Sequence, residues 1–340
     1  MDDERIYPLT FEPQLRPYLW GGRNLETLLG RDLPPGPVAE SWEISAHPEA
    51  PTRVLEGYWQ GSTLPQVHEA LGTELVGTRA LGHPCGDRFP LLIKLLDAER
   101  DLSVQVHPDD DYACEHEEGD SGKVESWYIL AAEPGTALIY GLTPGMDRDT
   151  FERAIADGRV PDTLARLPVQ AGDCVHVPAG TVHALTAGTV LVEIQQNSDA
   201  TYRVYDWGRV DQEGNPRELH IKRALDVIDW EKDAPGVVTP ETLSEQGGVH
   251  RKRLVSCPQF DLEQIDLTAG AVFEGSCTGE TFEIWGCIEG EVELAWQGEP
   301  LGLEAVSFGL VPATMGAFSI TAQTPARLLR SYLGENTGKR

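Results

Sequence analysis

The chain has 340 residues, 40% hydrophobic and 24% charged, as expected of a globular protein with one large or two ordinary domains. Its 55 acidic residues against 27 lysines and arginines give a formal charge of −28, which argues against nucleic acid or an anionic membrane as a partner. No apolar run reaches the ~20 residues of a membrane helix, and the opening MDDERIYPLTF lacks the features of a signal peptide, so a soluble, cytoplasmic protein is expected.

The same charge sets a condition on any anionic substrate, which must be met by a local cluster of lysine, arginine and backbone N–H groups. Six scattered cysteines, Cys85, Cys114, Cys174, Cys257, Cys277 and Cys287, form no CxxC pair and are expected to be reduced thiols.

In chain order, the first helix is predicted from Ser62 to Gly77, with Ser62 as N-cap and Pro65 in the first turn. Strands follow at PLLIKLLDA, LSVQVHP, ESWYILAA and TALIYGL, short and rich in β-branched and aromatic residues between Gly, Pro and Asp turns. A second helix is predicted from near Asp149 to Gly158, then strands at DCVHVP and TVLVEIQQ, then a third helix from Leu219 to Trp230. The remaining residues repeat the strand texture in RLVSCPQFDLEQIDL, TFEIWGCIEGEVELAWQ, EAVSFGLVPATMGAFSI and ARLLRSYL. The fold class is therefore mainly β, two jelly-roll units of barrel or sandwich form with a few peripheral helices.

CVHVPAGTVHAL and FGLVPATMGAFSI both read as strand, VPA, turn, strand, which suggests a degenerate internal duplication. His183 has no counterpart in the second copy, where Phe318 and Ser319 occupy similar ground. The predicted domains are 1–235, which carries the chemistry, and 236–340, a copy without metal ligands. The joint is expected between Asp233 and Gly248.

Three segments offer metal ligands. Gln105 and His107 stand two apart on one strand, so their side chains share a face. Glu125 begins a strand with Lys123 on its own face, and His183 begins a strand after a tight turn. Two imidazoles, a carboxylate and an amide oxygen, with a position left open, suit catalytic zinc, and manganese or cobalt also fit this donor set. His176 shares a face with Cys174 and Pro178 and is expected to pack. His116, in the acidic CEHEEGD loop, is expected to face solvent.

Around these residues, LLIKLLDAERDLSVQVHPDDDYA, GKVESWYIL, VPAGTVHAL and EIQQNSDATYRVYDWGR resemble segments of the type I mannose-6-phosphate isomerase family, as do YLWGGRNL and AESWEISAHP. The matches keep the family's order from Tyr18 to Arg209, and the chain length is similar to that of its compact bacterial form. The resemblance implies a cupin-type fold and one Zn2+ per chain held by Gln105, His107, Glu125 and His183. It also implies an essential Arg203 and the interconversion of mannose 6-phosphate with fructose 6-phosphate. Ser126 and Val124 depart from the cysteine and threonine common in the family, and neither change touches a ligand.

That chemistry, a proton moved between C1 and C2, requires a base, an electrophile and a phosphate anchor. Arg203 is expected to clamp an enediolate or the phosphate; otherwise it pairs with Asp206 or Asp199. Lys123 either shuttles a proton or binds the sugar phosphate, and Glu193 is either a base or a partner of Arg203 or of a backbone N–H. Lys94, on a strongly apolar strand, finds a counter-ion in an anionic-substrate pocket or else snorkels to solvent. Ser103 shares the Gln105 face and is expected to donate to the phosphate, and Trp20 and Glu40 are expected to shape the pocket. Three rival readings are a cupin isomerase or epimerase of another phosphosugar, an oxygen-using metal cupin, and a non-catalytic sugar-binding cupin. Oligomeric state, monomer or dimer, is left open.

Overall fold

The computed structural model describes residues 4–82, 88–210, 213–231 and 235–335. Cys85 and residues 233–234 of the expected joint lie outside them. The chain divides into two compact units. The middle unit comprises 15–41 and 94–238; the terminal unit comprises 1–14, 42–93 and 239–340. The chain passes between the units at 238/239, and 1–14 and 42–93 group with the C-terminal part. Those early residues are drawn in by contacts the sequence order conceals, such as the antiparallel bridge between Leu9 and Leu310.

The middle unit is built on two antiparallel sheets, three of whose strands cross its chain boundaries at 14/15, 41/42 and 93/94. One is ordered Cys174–Val177, Glu125–Ala132, Thr189–Gln196, Leu91–Ala98, Glu40–Ile44 and Gln14–Arg16. The other is ordered Tyr202–Tyr205, Val104–Val106, His183–Ala184, Ala137–Leu142 and Leu164–Pro168. Leu96, Trp127, Ile129, Val175 and Leu191 of the first meet Leu138 and Tyr140 of the second in one buried cluster. The alternate side chains of the second sheet, Val104, Val106, Ile139 and Val204, pack outward on Phe151, Ala224 and Leu225 of two covering helices.

The terminal unit has the same plan. Its six-stranded sheet runs Ser307–Val311, Glu283–Glu289, Ala326–Tyr332, Asp261–Leu267, Val249–Ser256 and Glu241–Gln246. Read in chain order within each unit, these strands take the same places as the six of the middle unit. The second sheet runs Val272–Cys277, Gly316–Ala322, Glu291–Ala295 and Leu301–Glu304. A core of Ile265, Phe273, Trp285, Val292, Phe318 and Leu328 fills the space between the two. Both units are jelly-roll sandwiches rather than closed barrels.

The helices depart from expectation at their ends. The first spans Leu64–Leu71, capped by Thr63 rather than Ser62, with the Thr63 N–H donating to Gln66 Oε1 at 2.9 Å. Gly72, at φ 50°, ends it before a separate turn over Thr73–Val76. The second spans Arg148–Ala156 under an Asp147 cap, and the third only Ile221–Val227.

Candidate active site and metal centre

Gln105 lies at the centre of the three-residue strand Val104–Val106, and His107 stands just past its end. His183 opens a two-residue strand directly opposite Gln105. The turn that delivers it requires Gly180 at φ 81°, and the Gly180 N–H donates to the His107 carbonyl at 2.9 Å. The loop before one histidine is thereby tied to the backbone of the other. Glu125 begins its strand in the facing sheet, opposite Gln195 and Val177.

His107, Glu125 and His183 converge within 4.8 Å of one another, each about 1% exposed. His107 Nδ1 donates to the Ala200 carbonyl at 2.7 Å and His183 Nδ1 to the Thr181 carbonyl at 2.8 Å. These bonds fix the tautomers so that both Nε2 lone pairs face inward. The Nε2 atoms lie 3.2 Å from Glu125 Oε1 and 3.7 Å from Oε2, respectively. The Gln105 amide sits 3.5 and 3.4 Å from the same two nitrogens, and flipping the amide presents its oxygen there. Glu125 is fully buried, with Oε1 paired to Lys123 Nζ at 2.8 Å and Oε2 facing the His183 imidazole without a hydrogen-bond partner. Burial costs such a carboxylate several kcal/mol unless cations surround it. The residues fit a divalent cation on this observation, and the nitrogen and oxygen donors match a catalytic more than a structural site.

Electrostatics agree. Burial pushes the His183 imidazole down to about 3 and His107 downward as well, so both are neutral ligands at neutral pH. Burial would raise the Glu125 carboxyl, but Lys123, 2.8 Å away, and then His107 hold it well below the usual carboxylate range. Lys123 is buried too, yet Glu125 and Glu193 raise it above an ordinary lysine.

A cavity of about 230 Å³ opens above this group, and every sequence-predicted site residue except His107 lines it. Lys94 lies between two carboxylates, 3.6 Å from Glu40 and 3.7 Å from Glu193, so it finds counter-ions inside and does not snorkel. Glu193 accepts from the Trp127 indole N–H at 2.9 Å, and burial together with the Glu125 charge pushes its carboxyl up to about 7. Ser103 Oγ lies 3.4 Å from Gln105 Oε1. Trp20 is buried, its ring 6.0 Å from Tyr18 and nearly parallel. Asp206 bonds Arg209 and Arg217, while Arg203 Nε is buried without a hydrogen-bond partner. His176 meets Ser126 Oγ at 3.0 Å, and His116 is exposed on Tyr112.

Sequence reasoning passed over Tyr18, Thr201 and Arg217, all of which line the cavity. Tyr18 opens YLWGGRNL and was within reach. Arg217 sits in an irregular segment with no periodicity to mark it.

The terminal unit treats the same places differently. Trp285 faces Arg330 across the strands as Trp127 faces Glu193, and Arg330 faces Glu263 where Glu193 meets Lys94. The buried ion pair is kept with its polarity reversed. Opposite Phe318, where His183 faces Gln105, stands Gly275, and a Cβ there would lie 2.2 Å from the Phe318 ring. The aromatic ring fills the room that ligands occupy in the middle unit. Among the described residues, the metal-type cluster of the middle unit has no second instance.

Comparison with known proteins gives these features a context. Residues 9–125 match the model of the phosphomannose isomerase type I catalytic domain. Mannose-6-phosphate isomerase from Streptococcus mutans is 42% identical over 74% of this chain and 77% of its own length. ManA, a mannose-6-phosphate isomerase of Bacillus subtilis, is 36% identical over 84% of this chain and 86% of its own. A crystal structure of mannose 6-phosphate isomerase from Bacillus subtilis superposes with a TM-score of 0.85 at 36% identity, covering 95% of this chain and 99% of that one. A variant of phosphomannose isomerase from Salmonella typhimurium, 17% identical with a TM-score of 0.74, shares the fold. With such identity sustained across most of its length, and with a buried His–Glu–His group under a charged cavity, the chain is an enzyme of the type I phosphomannose isomerase family.

Proposed function

We propose that the chain is a zinc-dependent cytoplasmic aldose–ketose isomerase that interconverts mannose 6-phosphate and fructose 6-phosphate. The observation that carries this reading is the convergence of His107, Glu125 and His183 beneath a cavity holding Lys94, Lys123, Glu193 and Arg203. His107, Glu125 and His183 would hold the ion, with the Gln105 amide oxygen as fourth ligand. Bound there, the ion would supply Lewis acidity to the sugar's C1 and C2 oxygens. Cytoplasmic location is consistent with the lack, among the described residues, of a helix long and apolar enough to cross a membrane.

Moving a proton between C1 and C2 through a cis-enediol requires a group that takes the proton and returns it near neutral pH. Glu193, its carboxyl near 7, is matched to that task. Lys123, raised and charged, stabilises negative charge as it develops on the sugar oxygens. Arg203 brings a planar fork with one nitrogen uncommitted. Lys94, shared with Glu40, holds Glu193 in place, Ser103 donates to the substrate, and the buried face of Trp20 excludes water from the reacting end. Residues 236–340 form a copy that performs no metal chemistry.

A coupled assay on purified protein tests the reading. Mannose 6-phosphate should be converted, other hexose phosphates far more slowly, with loss on chelation and recovery with zinc. Failure to convert mannose 6-phosphate, or turnover indifferent to chelator, would refute it.

A further inference from the structure

Charge is unevenly distributed around the cavity. On the metal side, Lys94 and Lys123 are each within ion-pair distance of carboxylates, and Glu40, Glu125 and Glu193 together outnumber them. Both lysines are thus already paired, and an ion at the His–Glu–His group would be committed to the C1 and C2 oxygens. Around Asp206 and Arg217 the balance reverses. Arg209 and Arg217 both bond the single carboxylate of Asp206, which is only about 6% exposed, and Arg203 stands in their field. In a chain of charge −28, three guanidiniums have been gathered around two acids, Asp206 and Asp199.

Arg217 is held firmly in this group. Its Nε donates to Asp206 Oδ2 at 2.7 Å and its Nη2 to Oδ1 at 2.6 Å, the two-point fork that fixes a guanidinium plane. It lines the cavity and remains about 40% exposed, so an anion entering from solvent can reach it. Arg209 is committed elsewhere, with Nη1 on the Asp101 carbonyl at 2.5 Å as well as its Asp206 bonds. Arg203 is disfavoured as a cation first by burial and then by the charge of Arg217, a repulsion that a bound anion would relieve.

The geometry points to Arg217, oriented by Asp206, as the residue that reads the phosphate of the sugar and sets the preference for phosphorylated over free hexose. The reacting carbons then lie toward Glu193, the His–Glu–His group and Arg203, which is the register partner of Gln105, and C6 lies toward Arg217. This assignment rests on the isomerase reading above, and it moves the phosphate away from Lys94, whose charge is taken by Glu40 and Glu193.

The test compares wild type with Arg217→Leu and Arg217→Lys, each checked by thermal melt. KM for mannose 6-phosphate should rise by roughly 10- to 100-fold in the leucine variant, with a much smaller change in kcat. Competitive inhibition by inorganic phosphate should weaken by a similar factor, and Arg217→Lys should lie between. Unchanged KM and unchanged phosphate inhibition, or a loss confined to kcat, would overturn the assignment. If Arg217→Leu melts early, Arg217→Gln replaces it under the same criteria. Calorimetric titration of inorganic phosphate separates this claim from the isomerase reading. Loss of binding in the variant supports Arg217 even if wild type turns over nothing, and equal binding in both refutes it.

Discussion

Trp127 donates its indole N–H to Glu193 at 2.9 Å from directly across the strand pair, so the proposed base is positioned by an aromatic core residue. A hydrogen bond to the charged form of a carboxylate favours that form. With Glu193 near 7, kcat/KM should fall about tenfold for each pH unit below that value as the base is protonated. Glu193→Gln should lose about 10²- to 10⁴-fold in rate and flatten this limb. Trp127→Phe should move the limb to higher pH. A pH–rate profile of the three proteins checks this, and an unshifted limb in Glu193→Gln would remove it from the proton path.

Arg203→Ala should fold and keep its metal while losing roughly 10²- to 10³-fold in kcat, the range typical for removing a fixed group that stabilises developing charge. Kinetics like those of wild type would take Arg203 out of the mechanism.

The terminal unit makes a separate prediction. Arg330 bonds Glu283, lies 3.5 Å from Glu263 and stacks over Tyr332 at 4.5 Å, while both carboxylates are almost fully buried. Arg330→Met leaves Glu283 without its cation and should cost about 3–5 kcal/mol in denaturant unfolding, since breaking one half of a buried pair strands the other. Its metal content should equal that of wild type. A loss under about 1 kcal/mol would show that this pair does not organise the unit.

Asp206 carries a pH dependence of stability. Burial would raise its carboxyl, but the bonds from Arg217 and Arg209 hold it below the usual range. A carboxyl lowered in the folded state contributes stability that is present above its unfolded value of ~3.9 and lost as pH falls through the folded value. Asp206→Asn should therefore be about 2 kcal/mol less stable at pH 7, with the gap closing in acid. Parallel stability curves from pH 7 to 2 would contradict this.

Much of the site could be read from residue patterns, because strands advertise themselves through alternation and β-branching. Gln105 and Glu125 sit on strands as their contexts predict, and His183 follows its turn. His107 lies beyond the strand end, where the chain still directs it to the Gln105 face. The duplication was visible in the VPA repeat, and the strand orders extend it to whole sheets. Contacts between distant segments were not legible. The grouping of 1–14 and 42–93 with 239–340 depends on pairings such as Leu9 with Leu310, which no local pattern encodes. Arg217 is similarly hidden, since its place is set by the Asp206 carboxylate rather than by an element. Gly72 shortened the first helix because a residue at positive φ ends the turn even where apolar spacing continues.

The most direct test of the account is elemental analysis of purified wild type and His183→Ala alongside mannose 6-phosphate turnover. The account predicts one divalent ion per chain and full activity in wild type, with ion and activity lost together in the variant. A His183→Ala protein that keeps its ion and its rate, or a metal-stripped wild type that turns over undiminished, would contradict it.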